Sequence, residues 1–266
     1  MLGKLLKYEF KATSRTFLPM YALLIVMSFI NKFFYSNNFE YFKIPKLISM
    51  TVFIVVIAGI SVMTLIITIQ RFNKSLLTDE GYLSFTLPVK AHLHIDAKMI
   101  ASFVWSLLSV LVSLIAIFVM IANHNVFAEL GQLWKELSDV IAKVGPGAYV
   151  LLLEAILLLI ITTLGSIVEI YAAITIGNLS SKHKLLAGVG AFIGFGIVQQ
   201  IVVSIFITAL GPNVEEYFES ISRSGVQTLM NVSELVMLVL ILYTLVFGLA
   251  FYFLTNWMLT KKLNLE

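Results

Sequence analysis

Residues Leu47–Ile69 read LISMTVFIVVIAGISVMTLIITI, a run without a single charged side chain. An α-helix rises about 1.5 Å per residue, so about 20 apolar residues cross the roughly 30 Å hydrocarbon core of a bilayer. The run is long enough for that crossing and too long for an ordinary buried core segment. It predicts a membrane-spanning helix.

Five further apolar segments meet the same length criterion, one of them extended by its flanking residues. The predicted fold is an all-α integral membrane protein with six transmembrane helices in a single domain, residues 1–266. The predicted spans are residues 15–35, 47–69, 99–122, 149–177, 185–210 and 235–260. The first apolar run ends in Asn31 and Lys32 without a small-residue cleavage pattern, so it is not expected to be a removable signal peptide.

The overall composition agrees with lipid as the main solvent. The chain is 59% hydrophobic and 12% charged, whereas soluble domains are about 25% charged. A net charge of +3 is too small to indicate a nucleic-acid partner. Because the chain has no cysteine, disulfides, thiolate metal sites and cysteine nucleophiles are excluded.

The distribution of Lys and Arg predicts the orientation, since cytoplasmic flanks are enriched in these residues. If the chain lies in the plasma membrane with both termini in the cytoplasm, most of its Lys and Arg residues are on the cytoplasmic side. The predicted inside residues are Lys4, Lys7, Lys11, Arg15, Arg71, Lys74, Lys90, Lys98, Lys182, Lys184, Lys261 and Lys262. The residues left outside are Lys32, Lys43, Lys46, Lys135, Lys143 and Arg223, and those from Lys32 to Lys46 conflict locally with the rule.

Three stretches beside the spans have the periodicity of amphipathic helices. In the first sixteen residues a basic stripe lies opposite leucines and Phe10, which predicts a helix in the inner membrane interface. The other two are predicted to be extracellular. One carries Phe127, Leu130, Trp134, Leu137, Ile141 and Val144; the other carries Val214, Tyr217, Phe218 and Ile221.

The connection from Gln70 to Lys98, QRFNKSLLTDEGYLSFTLPVKAHLHIDAK, mixes apolar and polar residues. Thr78 or Asp79 is a suitable helix cap, Glu80 suits a helix start, and Pro88 ends the element. The expected short helix presents apolar groups that a partner protein would cover. The alternative is a solvated loop with an incidental proline.

Within this connection, Glu80-Gly81-x-Leu83, Thr86-Leu87-Pro88-Val89 and Lys98 resemble the motif of ATP-binding-cassette (ABC) exporter permeases of the type-2 family, especially those of Gram-positive bacteria. The resemblance implies a cytoplasmic coupling helix that docks on a separate ATPase. Tyr82 departs from the threonine that the family often has. The residues implied in coupling are Asp79, Glu80, Gly81, Tyr82, Leu83, Phe85 and Pro88.

The resemblance also implies the composition of the complex. Two ABC ATPase subunits would hold ATP and Mg, and a second copy of this permease or a related one would complete the transporter within membrane lipid. This chain contains no G-x-x-x-x-G-K-[ST] phosphate loop, so it is not expected to be an enzyme or to bind a cofactor itself. His92 and His94 alone do not predict a metal site.

Polar residues inside two apolar spans are candidates for a translocation path. Glu154 and Glu169 are separated by about 60° of helix rotation, so one side of the span can carry both. The alternative is hydrogen bonding or ion pairing between helices. The complete candidate set is Glu154, Thr162, Ser166, Glu169, Gln199 and Gln200.

Other functions remain open on the sequence alone. A secondary transporter or channel would need no ATPase and would use Glu154 and Glu169 for proton coupling. A membrane scaffold or immunity protein would move no substrate.

A packing role is expected for the glycines at 188, 190, 194 and 196, which include G-x-x-x-G at Gly190 and Gly194.

Overall fold

The computed structural model describes residues 2–36, 43–78, 90–122, 124–180, 182–209 and 226–261. These residues form seven α-helices, and no strand occurs within the ranges just given. The helices are α1 (Leu2–Ser36), α2 (Lys43–Leu76), α3 (Ala91–Ile121), α4 (His124–Val144), α5 (Gly147–Gly177), α6 (Lys184–Ala209) and α7 (Val226–Lys261).

Six of these helices are long and apolar enough to cross a membrane, and α4 is the exception. Four of the predicted spans lie entirely within one of these helices, whereas residues 99–122 extend one residue beyond α3 and residues 185–210 end one residue after the last described residue of α6. The described structure therefore has six helices that could span a membrane, as predicted. A helix satisfies its own backbone hydrogen bonds, which is why lipid-exposed spans take this form. The described part of the chain has the all-helical architecture of a multi-pass membrane protein.

The helices extend beyond the apolar runs from which they were predicted. Helix α1 is continuous from Leu2 and includes Pro19, so the amphipathic start and the first span are one helix. Residues 2–16 are helical in the structure, and a separate helix in the inner membrane interface stays a prediction. Helix α2 continues to Leu76 and α3 begins at Ala91, which shortens the predicted connection between Gln70 and Lys98.

The chain divides into two compact units, residues 1–134 and 135–266. In the amino-terminal unit α1, α2 and α3 pack against one another. Their shared core contains Phe17, Leu24, Phe53, Ile60 and Trp105. In the carboxy-terminal unit α5 packs on both α6 and α7. The role of the whole chain as one permease domain stays a prediction.

Helix α5 approaches α6 closely at Gly177 and Gly188. A Cβ atom on Gly177 would lie 2.6 Å from the carbonyl oxygen of Lys184 and 2.8 Å from the Cα atom of Gly188. By contrast, a Cβ atom on Gly190 or Gly194 would meet no described atom within 4 Å. Close packing therefore occurs at Gly188, and the expected close approach at Gly190 and Gly194 is absent from the described structure.

The predicted amphipathic stretch after the third span lies within α4, and its role as an extracellular amphipathic helix stays a prediction. Its apolar side remains exposed in the structure, with 74% of Trp134 and 58% of Phe127 accessible. The second predicted extracellular helix, carrying Val214 to Ile221, lies outside the described residues.

Candidate functional site

Glu9 is the only acidic residue between Leu2 and Ser36, and its carboxylate joins α1 to two other helices. Lys98 Nζ in α3 donates to Glu9 Oε1 at 2.5 Å. Arg71 in α2 donates to Glu9 Oε2 through Nε at 3.1 Å and Nη2 at 2.9 Å. One side chain therefore connects the last turns of α2, the first turns of α3 and the start of α1.

The two ion pairs differ in burial. The side chains of Lys98 and Glu9 are 6% and 14% exposed, whereas that of Arg71 is 37% exposed. A buried ammonium group needs a partner, because desolvating it costs several kcal/mol. Water screens the more exposed guanidinium, so its pair contributes at most about 1 kcal/mol. The Glu9–Lys98 pair is the stronger constraint on the three helices.

One helical turn further along α1, Thr13 makes the next connection to α3. Trp105 Nε1 donates to Thr13 Oγ1 at 2.7 Å, while Thr13 Oγ1 donates to the Glu9 carbonyl oxygen at 2.7 Å. Phe17 stacks on the Trp105 ring with the centroids 4.5 Å apart and an interplanar angle of 13°. The indole is thus fixed by both a hydrogen bond and an aromatic contact.

Tyr21 continues the same face of α1, since residues four apart are neighbours on a helix. Its hydroxyl group lies 2.8 Å from Ser109 Oγ in α3. Ser109 Oγ lies 3.0 Å from Thr64 Oγ1 in α2. The three helices are therefore joined by polar contacts at the Glu9 level and again at the Tyr21 level, with Trp105 between them.

A small cleft lies beside the ion pairs. The volume that the centre of a water molecule can occupy in it is about 10 Å³. That volume holds about one water. Among the lining groups are the side chains of Thr68, Ser102 and Ile67. The described residues contain no group of three or more His, Asp or Glu side chains arranged to hold a metal. This arrangement is suited to holding helices in register.

The residues predicted to contact an ATPase lie outside the described structure. Asp79, Glu80, Gly81, Tyr82, Leu83, Phe85 and Pro88 all fall within residues 79–89. The described residues nearest to this segment in sequence are Thr78 and Lys90. Their coupling role stays a prediction.

Two of the predicted path residues meet between α5 and α6. Gln199 Nε2 donates to Glu169 Oε1 at 2.8 Å. The Tyr243 hydroxyl group of α7 donates to the Gln199 carbonyl oxygen at 3.4 Å. The hydrogen bond of the Glu169 carboxyl group to Gln199 agrees with a structural role between helices, which is the alternative to a role in a translocation path.

The other predicted path residues are not joined to that pair by any described contact. Glu154 is 7% exposed, and its Oε2 atom has no hydrogen-bond partner among the described residues. Three more of these residues are exposed in the carboxy-terminal unit, namely Thr162, Ser166 and Gln200. Ser166 Oγ donates a hydrogen bond within its own helix, to the Thr163 carbonyl oxygen at 2.9 Å. A path through these residues stays a prediction.

The sequence interpretation missed Glu9, although it noted Lys98. The available signal was a solitary acid in a basic and apolar helix, on the side opposite the lysine stripe. At 100° per residue Glu9 is about 140° from Lys4 and about 40° from Thr13. The ion pairs link Glu9 to Arg71 and Lys98, which are 62 and 89 positions away in the sequence. The periodicity of α1 alone cannot predict contacts with residues so distant in the chain.

Comparisons of the chain with models of known protein families, with curated proteins and with solved structures found no match. The fold and the site therefore define a class by their own features. This is a helical multi-pass membrane protein in which the first helix is ion-paired to the two helices that flank residues 79–89.

Proposed function

We propose that the chain is the permease subunit of an ATP-driven ABC exporter of the type-2 family. In this proposal it lies in the plasma membrane with both termini in the cytoplasm, beside a second permease copy or a related permease. Two separate ATPase subunits bind ATP and Mg and hydrolyse the nucleotide. Residues 79–89 contact the ATPase, and the membrane helices form the substrate pathway.

The observation that carries this proposal is the pairing of Glu9 with both Arg71 and Lys98. These two cations flank, in sequence, the segment whose Glu80-Gly81 and Thr86-Leu87-Pro88 residues resemble the coupling motif. A force applied to that segment acts first on α2 and α3, to which it is covalently joined. The ion pairs then deliver the displacement to α1.

The contacts below the ion pairs support transmission as a unit. Trp105 and Tyr21 hold α1 to α3 deeper in the bundle, and Ser109 links that contact to α2. Packed side chains have discrete arrangements and deform little, so a displacement at one end of such a bundle moves its other end. In the proposed cycle, ATP-driven closure of the two ATPases switches the spans from inward-facing to outward-facing access.

Three single variants test the proposal in the complex purified with its co-expressed ATPase. Glu80→Ala and Phe85→Ala remove contacts with the ATPase and are expected to lower its co-purification and its stimulated activity. Glu9→Gln leaves the contact segment intact, so it is expected to lower stimulated ATPase activity while the subunits still co-purify.

Matched controls are available on α4, where Glu129 and Phe127 are exposed. Glu129→Ala and Phe127→Ala make the same chemical changes away from residues 79–89 and are expected to behave as wild type. Wild-type assembly and ATPase activity in both Glu80→Ala and Phe85→Ala would refute the exporter proposal. Failure of any ATPase to co-purify with the wild-type chain would do the same.

The second candidate function is a secondary transporter or channel coupled to protons. The buried Glu154 carboxyl group favours it, since an ionisable side chain in a span is costly unless it is paired, hydrated or neutral. Under this alternative Glu154→Gln abolishes proton movement in reconstituted vesicles that contain no ATPase. Under the exporter proposal such vesicles move no protons with either chain.

A further inference from the structure

The face of α1 opposite Glu9 carries a stripe of cations that all project from the protein. Lys4, Lys7, Lys11 and Arg15 are exposed. At 100° per residue they lie within about 80° of one another around the helix. Glu9, the single acid of α1, points to the other side and is bound by Arg71 and Lys98. The stripe therefore has no acidic residue of its own helix to neutralise it.

The same face becomes apolar immediately after Arg15. Leu18 is 59% exposed, Val26 is 54% exposed and Phe29 is 58% exposed. Leu18 and Phe29 lie within the angular range of the basic stripe, and Val26 lies about 20° beyond it. The helix continues through Pro19 without interruption. One continuous surface thus changes from cationic to apolar along the helix axis.

We propose that this surface binds an anionic phospholipid, with its phosphate between Lys11 and Arg15 and its acyl chains along Leu18 and the apolar positions that follow. Lys11 and Arg15 are separated by about 6 Å along the axis, and Arg15 is about 4.5 Å from Leu18. The headgroup layer of one leaflet is about 5–8 Å thick. If Leu18 lies at the edge of the hydrocarbon, Lys11 and Arg15 are at phosphate depth.

Charge selects lipid over the other occupants of such a surface. A second copy of the chain would bring the same cations against each other, which is unfavourable. Lys4 lies about 16 Å from Arg15 along the axis, farther than the roughly 8 Å screening length at physiological salt. The lipid site is therefore centred on Lys11 and Arg15, and Lys4 contributes little. This inference requires neither an ATPase nor the exporter function.

The absence of cysteine permits a local measurement. Ala22 is exposed and lies on the stripe face one turn beyond Leu18, so Ala22→Cys labelled with bimane reports on lipid at this surface. Quenching by brominated phosphatidylglycerol and by brominated phosphatidylcholine, in bilayers without an ATPase, gives their relative affinity. Phosphatidylglycerol is expected to be preferred, and 0.5 M salt is expected to reduce that preference.

The variants predict a graded loss of this preference. Each cation at the surface of an anionic membrane contributes about a fivefold factor in affinity. Lys11→Gln and Arg15→Gln are each expected to lower the preference about fivefold, and the double variant about thirtyfold. Lys4→Gln changes it less than twofold, and Arg15→Lys retains it because the charge is kept.

The control is Lys32→Gln/Lys46→Gln, which removes two cations from the opposite end of the same helical bundle and is expected to leave the preference unchanged. The proposal is overturned if the Lys11→Gln/Arg15→Gln variant keeps the wild-type preference or if the control loses as much. It is also overturned if neither brominated lipid quenches the label, because protein would then cover the face. Glycerol phosphate that competes away the brominated lipid would show an anion site without acyl-chain contact and likewise overturn it.

Discussion

The Glu9→Gln variant tests how strongly the carboxylate stabilises the amino-terminal unit. The change leaves Lys98 buried next to a neutral amide, and removing one partner of a buried pair costs about 3–5 kcal/mol. The contribution of Arg71 adds little, because that side chain is 37% exposed and turns to solvent. The glutamine carbonyl oxygen still accepts a hydrogen bond, so we expect a loss near the lower end, about 3 kcal/mol.

Unfolding by sodium dodecyl sulfate in mixed micelles, followed by circular dichroism, measures this loss of stability. Glu129→Gln makes the same chemical change at an exposed position of α4. We expect the free energy of unfolding of this control to stay within about 0.5 kcal/mol of wild type. A comparable loss in both variants would show that the assay reports general surface charge.

A double-mutant cycle separates the ion pair from a general effect of substitution. Lys98→Met removes the buried ammonium group and keeps an apolar side chain of similar length. In the Glu9→Gln/Lys98→Met variant no uncompensated buried cation remains, so the loss is expected to be smaller than the sum of the two single losses by about 2 kcal/mol. Strictly additive losses would refute the assignment of this pair as the main connection between α1 and α3.

Two further predictions concern the carboxy-terminal unit and use the same unfolding titration. Gly177→Ala is expected to lower the free energy of unfolding by about 3 kcal/mol, because the new Cβ atom would collide with backbone atoms of α6. Gly190→Ala, where a Cβ atom has open space, is expected to be neutral or slightly stabilising. Equal losses in the two variants would contradict the close approach at Gly177. Gln199→Leu removes the hydrogen bond to Glu169 and is expected to lower the free energy of unfolding by about 1–2 kcal/mol. Gln200→Leu, at an exposed position, is expected to leave it unchanged. A larger loss in Gln200→Leu than in Gln199→Leu would contradict the pairing of Gln199 with Glu169.

The sequence predicted the connection between the second and third spans as residues 70–98, and the structure shows helix at both of its ends. The prediction ended each span at the nearest charged or polar residue, since a charge is costly in hydrocarbon. Arg71 and Lys98 nevertheless lie within helices, because a carboxylate from another helix pairs with each of them. A hydropathy boundary is thus not a helix boundary where tertiary contacts compensate the charge.

The glycines show the same dependence on tertiary contacts. The G-x-x-x-G spacing at Gly190 and Gly194 identified residues that permit close approach, but spacing does not identify the helix that approaches. In the structure α5 meets α6 at Gly188, where Gly177 provides the complementary gap. The choice among several small residues on one helix depends on the position of its neighbour.

The sequence by itself was enough to predict six helices that are long and apolar enough to cross a membrane, and it predicted the periodicity of the stretch that forms α4. Both features depend on local properties, because the apolar length of a segment and its periodicity are read within one helix. Only the tertiary structure decided that Glu9 joins three helices and that Glu169 pairs with Gln199. Those contacts form between residues that are far apart in the chain, and helix packing brings them within hydrogen-bond distance.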